Sequence, residues 1–147
     1  MHFTVSGNAP TLIAALLVCT SITTVTVVEA TSPNVLIVYH SETGHTRTLA
    51  NAIGAGAIQH GAGDVRVLSC TNATYEADVL WADAIVIGSP THYGNPSAGI
   101  LAWFESVWES GFTDPALGRK VGSAFATGGG VNQGLGHVVT ALQRVLE

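Results

Sequence analysis

One run constrains this chain more than any other: Val35-Leu-Ile-Val-Tyr39 followed at once by His40-Ser-Glu-Thr-Gly-His-Thr46. An unbroken apolar run rich in β-branched residues reads as a strand covered on both faces, because a strand with one wet face would alternate. The run ends in a turn of hydroxyls at the start of a helical pattern. A helix N-terminus presents unpaired N–H groups and the positive end of the helix dipole, so a strand–turn–helix of this kind is a place for a phosphate. Gly44 lets the backbone come close to such a ligand. No Lys or Arg precedes Arg47 in the turn, and it lacks the Gly-x-x-x-x-Gly-Lys-Ser/Thr pattern of a nucleoside triphosphate loop. Ser and Thr are also ordinary helix caps, so the turn by itself leaves both readings open.

The rest of the chain repeats the strand-to-helix theme. Leu49, Ala50, Ile53, Ala57 and Ile58 recur at helical spacing, and glycines 61 and 63 end that helix. Val65, Val67 and Leu68 form a second short strand, and residues 74–81 a brief helix. Residues 84–87 are a third buried strand that runs into the loop Gly88-Ser-Pro-Thr-His-Tyr-Gly-Asn-Pro96. Ile100, Leu101, Phe104, Val107 and Trp108 share one helical face over residues 97–110. After a linker, residues 120–126 make a fourth strand ending in Thr127-Gly-Gly-Gly130, and Leu135, Val138, Val139, Leu142, Val145 and Leu146 describe a last helix. Strands alternating with crossover helices predict an α/β fold, a doubly wound parallel sheet with helices on both faces. In the order 2-1-3-4 the first, third and fourth strands are neighbours, so the three unusual loops that follow them converge at the carboxyl edge, where such sheets bind ligands.

Residues 1–30 stand apart. They carry an apolar run Leu12-Ile-Ala-Ala-Leu-Leu-Val18, a Thr/Val-rich continuation and no acid before Glu29. Val28-Glu-Ala30 fits a signal-peptidase site, so the reading is a cleaved leader and a mature domain over residues 31–147. A membrane anchor over residues 12–28 competes, although the run is short for a span and diluted by Thr20, Thr23, Thr24 and Thr26, and a mispredicted or disordered start is the third reading. The expected location is the secretory pathway or outside the cell if the leader is cut, and membrane-anchored or cytoplasmic otherwise. Membrane association is expected only through residues 12–28. The remaining 117 or so residues suit one domain with its own core. A formal charge of −5 disfavours nucleic acid as a partner. Cys19 and Cys70 are too few for a disulfide framework, no Cys/His spacing suggests a metal, and Cys70 reads as a small apolar filler.

With the three loops in hand, the chain resembles the flavodoxin-like superfamily, and within it the WrbA-type FMN-dependent NAD(P)H:quinone oxidoreductases. The resemblance runs from Asn34 to about Glu147. It implies that Ser41, Glu42, Thr43, Gly44, His45 and Thr46 wrap the FMN phosphate. By the same resemblance Pro90, Thr91, His92, Tyr93, Gly94 and Asn95 line the isoalloxazine, with Thr127, Gly128, Gly129 and Gly130 as the third wall. It further implies NAD(P)H as co-substrate, a quinone as electron acceptor, a homo-oligomer, and a place for Trp108 near the flavin site of a neighbouring subunit. The bland alternatives are an ordinary exposed turn for His92 and Tyr93, a solvent-facing His45, a structural His40, and core or interface positions for Trp103 and Trp108.

For chemistry, the expectation is a two-electron relay from nicotinamide to quinone, with His92 as the catalytic candidate that hydrogen-bonds or protonates the quinone oxygen. Two other classes stay open: a flavodoxin-type electron carrier, and a truncated, non-catalytic relative. The second arises because the chain stops after the fourth crossover helix, where the family's fold adds a fifth strand. The expectation is therefore a missing fifth strand and an exposed parallel edge around Val121, Ala124 and Phe125.

Overall fold

The computed structural model describes residues 32–146 apart from residues 112 and 132 and the side chain of Trp108. The leader or anchor expected over residues 1–30 lies outside the described residues, as does the side chain on which the Trp108 expectation rests. No helix among the described residues is long and apolar enough to cross a membrane.

Strand β1 (Asn34–Tyr39) takes the middle of the sheet, and Leu36, Ile37 and Val38 are fully buried as its unbroken apolar run requires. It pairs in parallel with β2 (Asp64–Ser69) on one side and β3 (Ala84–His92) on the other. A two-residue strand, β4 (Asn95–Pro96), folds back antiparallel on the end of β3. Strand β5 (Val121–Thr127) then continues the parallel sheet beyond β3. The parallel order β2-β1-β3-β5 is the expected 2-1-3-4, with one label gained from the short hairpin arm.

Three helices wind the sheet on both faces. Helix α1 (His45–Gln59) turns Thr46, Ala50 and Gly54 inward, and Gly54 lies so close to Val67, Ile37 and Val65 that an added Cβ would meet Val67 Cγ2 at 2.8 Å. On the opposite face, Leu36, Val38, Ile85 and Ile87 pack with Ile100, Trp103 and Val107 of α2 (Ala98–Gly111) and Val138 and Leu142 of α3 (Leu135–Val145). Trp103 is core: it is buried, and its indole N–H donates to the Ala73 carbonyl at 2.9 Å. Cys70 is buried in the same cluster, and burial pushes its thiol up, away from the thiolate that reactive chemistry needs.

Two segments differ from the sequence expectation. The third strand extends through Gly88-Ser-Pro-Thr-His92, a segment whose composition reads as loop, because Tyr93 (φ 51°) and Gly94 (φ 83°) form a two-residue turn with positive φ at both central positions. Such a turn matches strand twist and closes a hairpin. The brief helix at 74–81 is instead one π-turn, Tyr75–Val79. Buried Asp78 fixes it by accepting from the Thr74 N–H at 2.9 Å and from Arg66 Nη1 at 3.0 Å, while the Arg66 guanidinium lies 3.9 Å from the Trp81 ring centre.

The π-turn is tied to the segment after α2 by Tyr75, whose hydroxyl donates to Asp114 Oδ2 at 2.7 Å. Burial first, then the Asp114 carboxylate, pushes the phenol up to about 12. The Ala116 N–H, and after it the Tyr75 hydroxyl, hold the Asp114 carboxyl below its ordinary value. A depressed carboxyl stabilises the fold above its unfolded pKa and loses that contribution as pH falls through the folded one. Asp114→Asn should therefore flatten the loss of stability between about pH 5 and about pH 3, relative to the native chain. Urea unfolding at each pH reads this, and parallel curves would show that Asp114 contributes nothing.

Candidate functional site

Register places the three loops. Tyr39 of β1, Gly88 of β3 and Phe125 of β5 lie in one row across the sheet, and Pro90 pairs with Thr127 two residues further on. The chain beyond these positions leaves the sheet on the same edge. Gly88 is required in that row, because an added Cβ would collide with the Phe125 ring that lies over it.

The first loop delivers its chain to α1 through Gly44, which is the N-cap residue in left-handed conformation (φ 93°). No side chain caps this helix end, and its first turn carries no acid. The N–H groups of His45, Thr46 and Arg47 precede the first intrahelical acceptor, since the first capping bond runs from the Thr48 N–H to the Gly44 carbonyl at 2.9 Å. A 15-residue helix thus presents an uncapped positive end. Ser41 Oγ accepts from the Gly44 N–H at 3.1 Å, which shapes the loop and leaves the hydroxyl proton free to donate elsewhere. Glu42, Thr43 and His45 are exposed.

Side-chain or close backbone contacts join each pair of loops. Thr46 is 2% exposed, and its Oγ1 lies 2.8 Å from Thr127 Oγ1, so this hydroxyl links the first loop to the third. Glu42 Oε1 lies 3.8 Å from His92 Nε2, an ion pair between first and second loops whenever the imidazole is protonated. Gly134 (φ 88°) packs against Gly94 so tightly that an added Cβ would stand 2.6 Å from Gly94 Cα, which joins second and third loops backbone to backbone. Gly134 falls outside the three sequence motifs, and its place just before an apolar helical run is the signal that could have found it.

The third loop and the start of α3 line an open cleft of about 680 Å³, formed by Gly128, Gly129, Gly130, Val131, Gly134, Leu135 and Gly136. An added Cβ at Gly129 would meet nothing within 4 Å, so a flat ligand can approach the bare backbone there. Tyr93 is fully exposed at the hairpin tip, with its backbone carbonyl accepting from Asn95 Nδ2 at 3.2 Å. Thr91 lies beside Gly128, and its hydroxyl is buried without a partner among the described residues. Ser89 beneath the loop is fully buried and satisfied, accepting from the Ser97 N–H at 2.9 Å. His40 lies with its ring against Gly99 and Nδ1 unpartnered, a packing role outside the three walls. Among the described residues no group of three or more His, Cys, Asp or Glu could hold a metal ion.

An uncapped helix end, an orphaned hydroxyl and a bare glycine wall fit a ligand with a phosphate at one end and a planar ring at the other. The flavodoxin family model matches residues 37–146. The chain is 34% identical over 96 residues to a flavodoxin of Aquifex aeolicus, covering 65% of this chain and 50% of that one. It is 32% identical to quinone-oxidoreductase QR2 of Triphysaria versicolor (77% and 63% covered). It is 33% identical to an NAD(P)H dehydrogenase (quinone) of Azorhizobium caulinodans (63% and 55%). Among solved structures, a WrbA-like flavodoxin of Agrobacterium tumefaciens superposes with a TM-score of 0.66 at 25% identity, covering 78% of this chain and 71% of that one. The chain spans between 50% and 63% of the length of these sequence relatives.

The bridge between first and third loops is open to test. Thr46→Val keeps shape and removes the hydroxyl, so stability in urea should fall by about 1 kcal/mol with circular dichroism unchanged. An unchanged midpoint would show that the contact holds nothing.

Proposed function

The chain belongs to the flavodoxin family, and from that premise we propose that it binds FMN in this crevice and reduces quinones with NAD(P)H. The observation that carries the reading is the uncapped start of α1 at Gly44, held beside the glycine wall by the Thr46–Thr127 contact. FMN, when bound, supplies the acceptance and return of a hydride equivalent.

The chain's own groups do the rest. The N–H groups of the first turn of α1, with the hydroxyls of Ser41 and Thr43, hold the phosphate. Thr91, Tyr93, Gly94 and Asn95 orient the ring from one side and Thr127, Gly128, Gly129 and Gly130 from the other. The unpartnered Thr91 hydroxyl gains a polar partner on the ligand, which removes the cost of leaving it buried and unsatisfied. His92 donates a hydrogen bond or proton to the quinone oxygen, with Glu42 Oε1 3.8 Å from its Nε2 to pair with an imidazolium. Relatives named quinone oxidoreductase and NAD(P)H dehydrogenase (quinone) support this choice of substrates. The Aquifex relative, named flavodoxin, favours a second reading in which the same crevice serves single-electron transfer between proteins.

The experiment is FMN titration of the purified protein by flavin fluorescence, with size-exclusion chromatography of the same sample to read self-association. Steady-state NAD(P)H:quinone turnover follows. Tight FMN binding with quinone turnover is the expected result, and folded protein that ignores FMN would end the reading. FMN binding without turnover would favour the electron carrier. His92→Ala at full FMN content should lower quinone turnover by about 10²-fold, the lower end for loss of a positioned acid. Unchanged turnover would remove His92 from the chemistry.

A further inference from the structure

Among the described residues the crevice has one cation, and it lies on the phosphate loop. Of the five Lys and Arg residues in the chain, four are accounted for elsewhere. Arg66 lies on β2, paired with Asp78 and stacked on Trp81. Arg119 and Lys120 precede β5 at the opposite edge of the sheet, where Lys120 Nζ donates to the Leu80 and Ala82 carbonyls. Arg144 sits in the last turn of α3, where a cation suits the helix dipole.

Arg47 is placed against that same rule. It stands in the first turn of α1, where the dipole disfavours positive charge, is exposed, and has no ion-pair partner among the described residues. Its side chain folds back over the loop, with Nη2 3.9 Å from the position a Cβ on Gly44 would take. The nearest acidic residue in the loop, Glu42, is turned to His92. A guanidinium held over an uncapped helix start is unfavourable alone and becomes favourable when an anion sits between the two positive ends.

Resting on the FMN reading above, we infer that Arg47 is a specificity-determining residue for the phosphate: beside the amides and hydroxyls of the loop, it raises the preference of this crevice for FMN over riboflavin, which has the same ring and no phosphate. Hydroxyls and backbone amides offer the anion uncharged donors; Arg47 adds the one fixed positive charge on the loop, in a chain whose net charge of −5 repels a dianion at long range.

The test compares FMN and riboflavin affinity by fluorescence titration in the native protein, Arg47→Gln and Arg47→Lys. FMN affinity should fall roughly tenfold or more in Arg47→Gln, the size of one lost charge-assisted hydrogen bond, with riboflavin affinity unchanged. Arg47→Lys should recover part of the loss. Raising salt should weaken FMN binding by the native protein more than by Arg47→Gln. Unchanged riboflavin binding also reports that the variant is folded. An FMN-to-riboflavin ratio equal in native protein and Arg47→Gln would overturn the inference while leaving the FMN reading standing. Native protein that binds neither flavin would overturn both.

Discussion

The crevice depends on β3, the strand that joins β1 to β5. Its residues Ala84 to Gly88 bond to β1, and Ala84 to Pro90 bond to β5, so one strand sets how far each neighbour reaches. Because parallel pairing repeats evenly, a one-residue slip would turn Ile85, Ile87 and Ala124 from the buried face to the other. The buried cluster forbids the slip. Once the register is set, the three loops leave one edge at fixed spacing, and the contacts Thr46–Thr127, Glu42–His92 and Gly94–Gly134 follow from short reaches rather than from long loop excursions.

The same strand exposes an asymmetry between the two faces. The face with α2 and α3 carries the large contiguous core, whereas the α1 face is covered chiefly near β1 and β2, where Gly54 approaches Val65 and Val67. Toward β5 that face is thin: Phe125 lies flat over Gly88, and Val121 and Ser123 are exposed. Among the described residues β5 pairs with β3 alone, so its outer N–H and C=O groups point away from the sheet. At the amino end of the strands a second, apolar cavity of about 420 Å³ runs between Trp103, Val107, Val121 and Leu146. Its rim charges, Asp114 and Lys120, are already engaged with Tyr75 and with backbone carbonyls. Binding chemistry is thus concentrated at the carboxyl edge, where polar groups remain without partners.

Much of this arrangement is legible in the amino-acid sequence. Val35 to Tyr39 declares a central strand because its run is apolar throughout, and helical spacing declares α1, α2 and α3 with their inward faces. The positions of the three loops follow from alternation alone. The hairpin is hidden because Tyr93 is a residue that rarely adopts positive φ, so only Gly94 hints at a turn. The π-turn is hidden for a different reason: Asp78, whose carboxylate satisfies the Thr74 N–H and Arg66, comes into play only when β2 is in place. In the crevice, composition marks the three loops but not which way their side chains turn. Nothing in the order Ser-Glu-Thr-Gly-His-Thr-Arg says that Thr46 turns inward to Thr127, that Glu42 turns to His92, or that Arg47 turns back over Gly44. Those directions are set by where α1 starts, and that start depends on the backbone of Gly44.

The arrangement of charge gives the crevice its polarity. Glu42 and Arg47 are both exposed and stand on either side of the start of α1. The carboxylate is drawn toward the second loop, and the guanidinium stays over the helix end. Had the two paired with each other, the helix end would be electrically neutral and His92 would lack its partner. Separated, they leave the guanidinium over the helix start and bring the carboxylate to the imidazole of the second loop. The local field at the start of α1 is therefore set by where these two side chains turn, at solvent-exposed positions that are sensitive to salt.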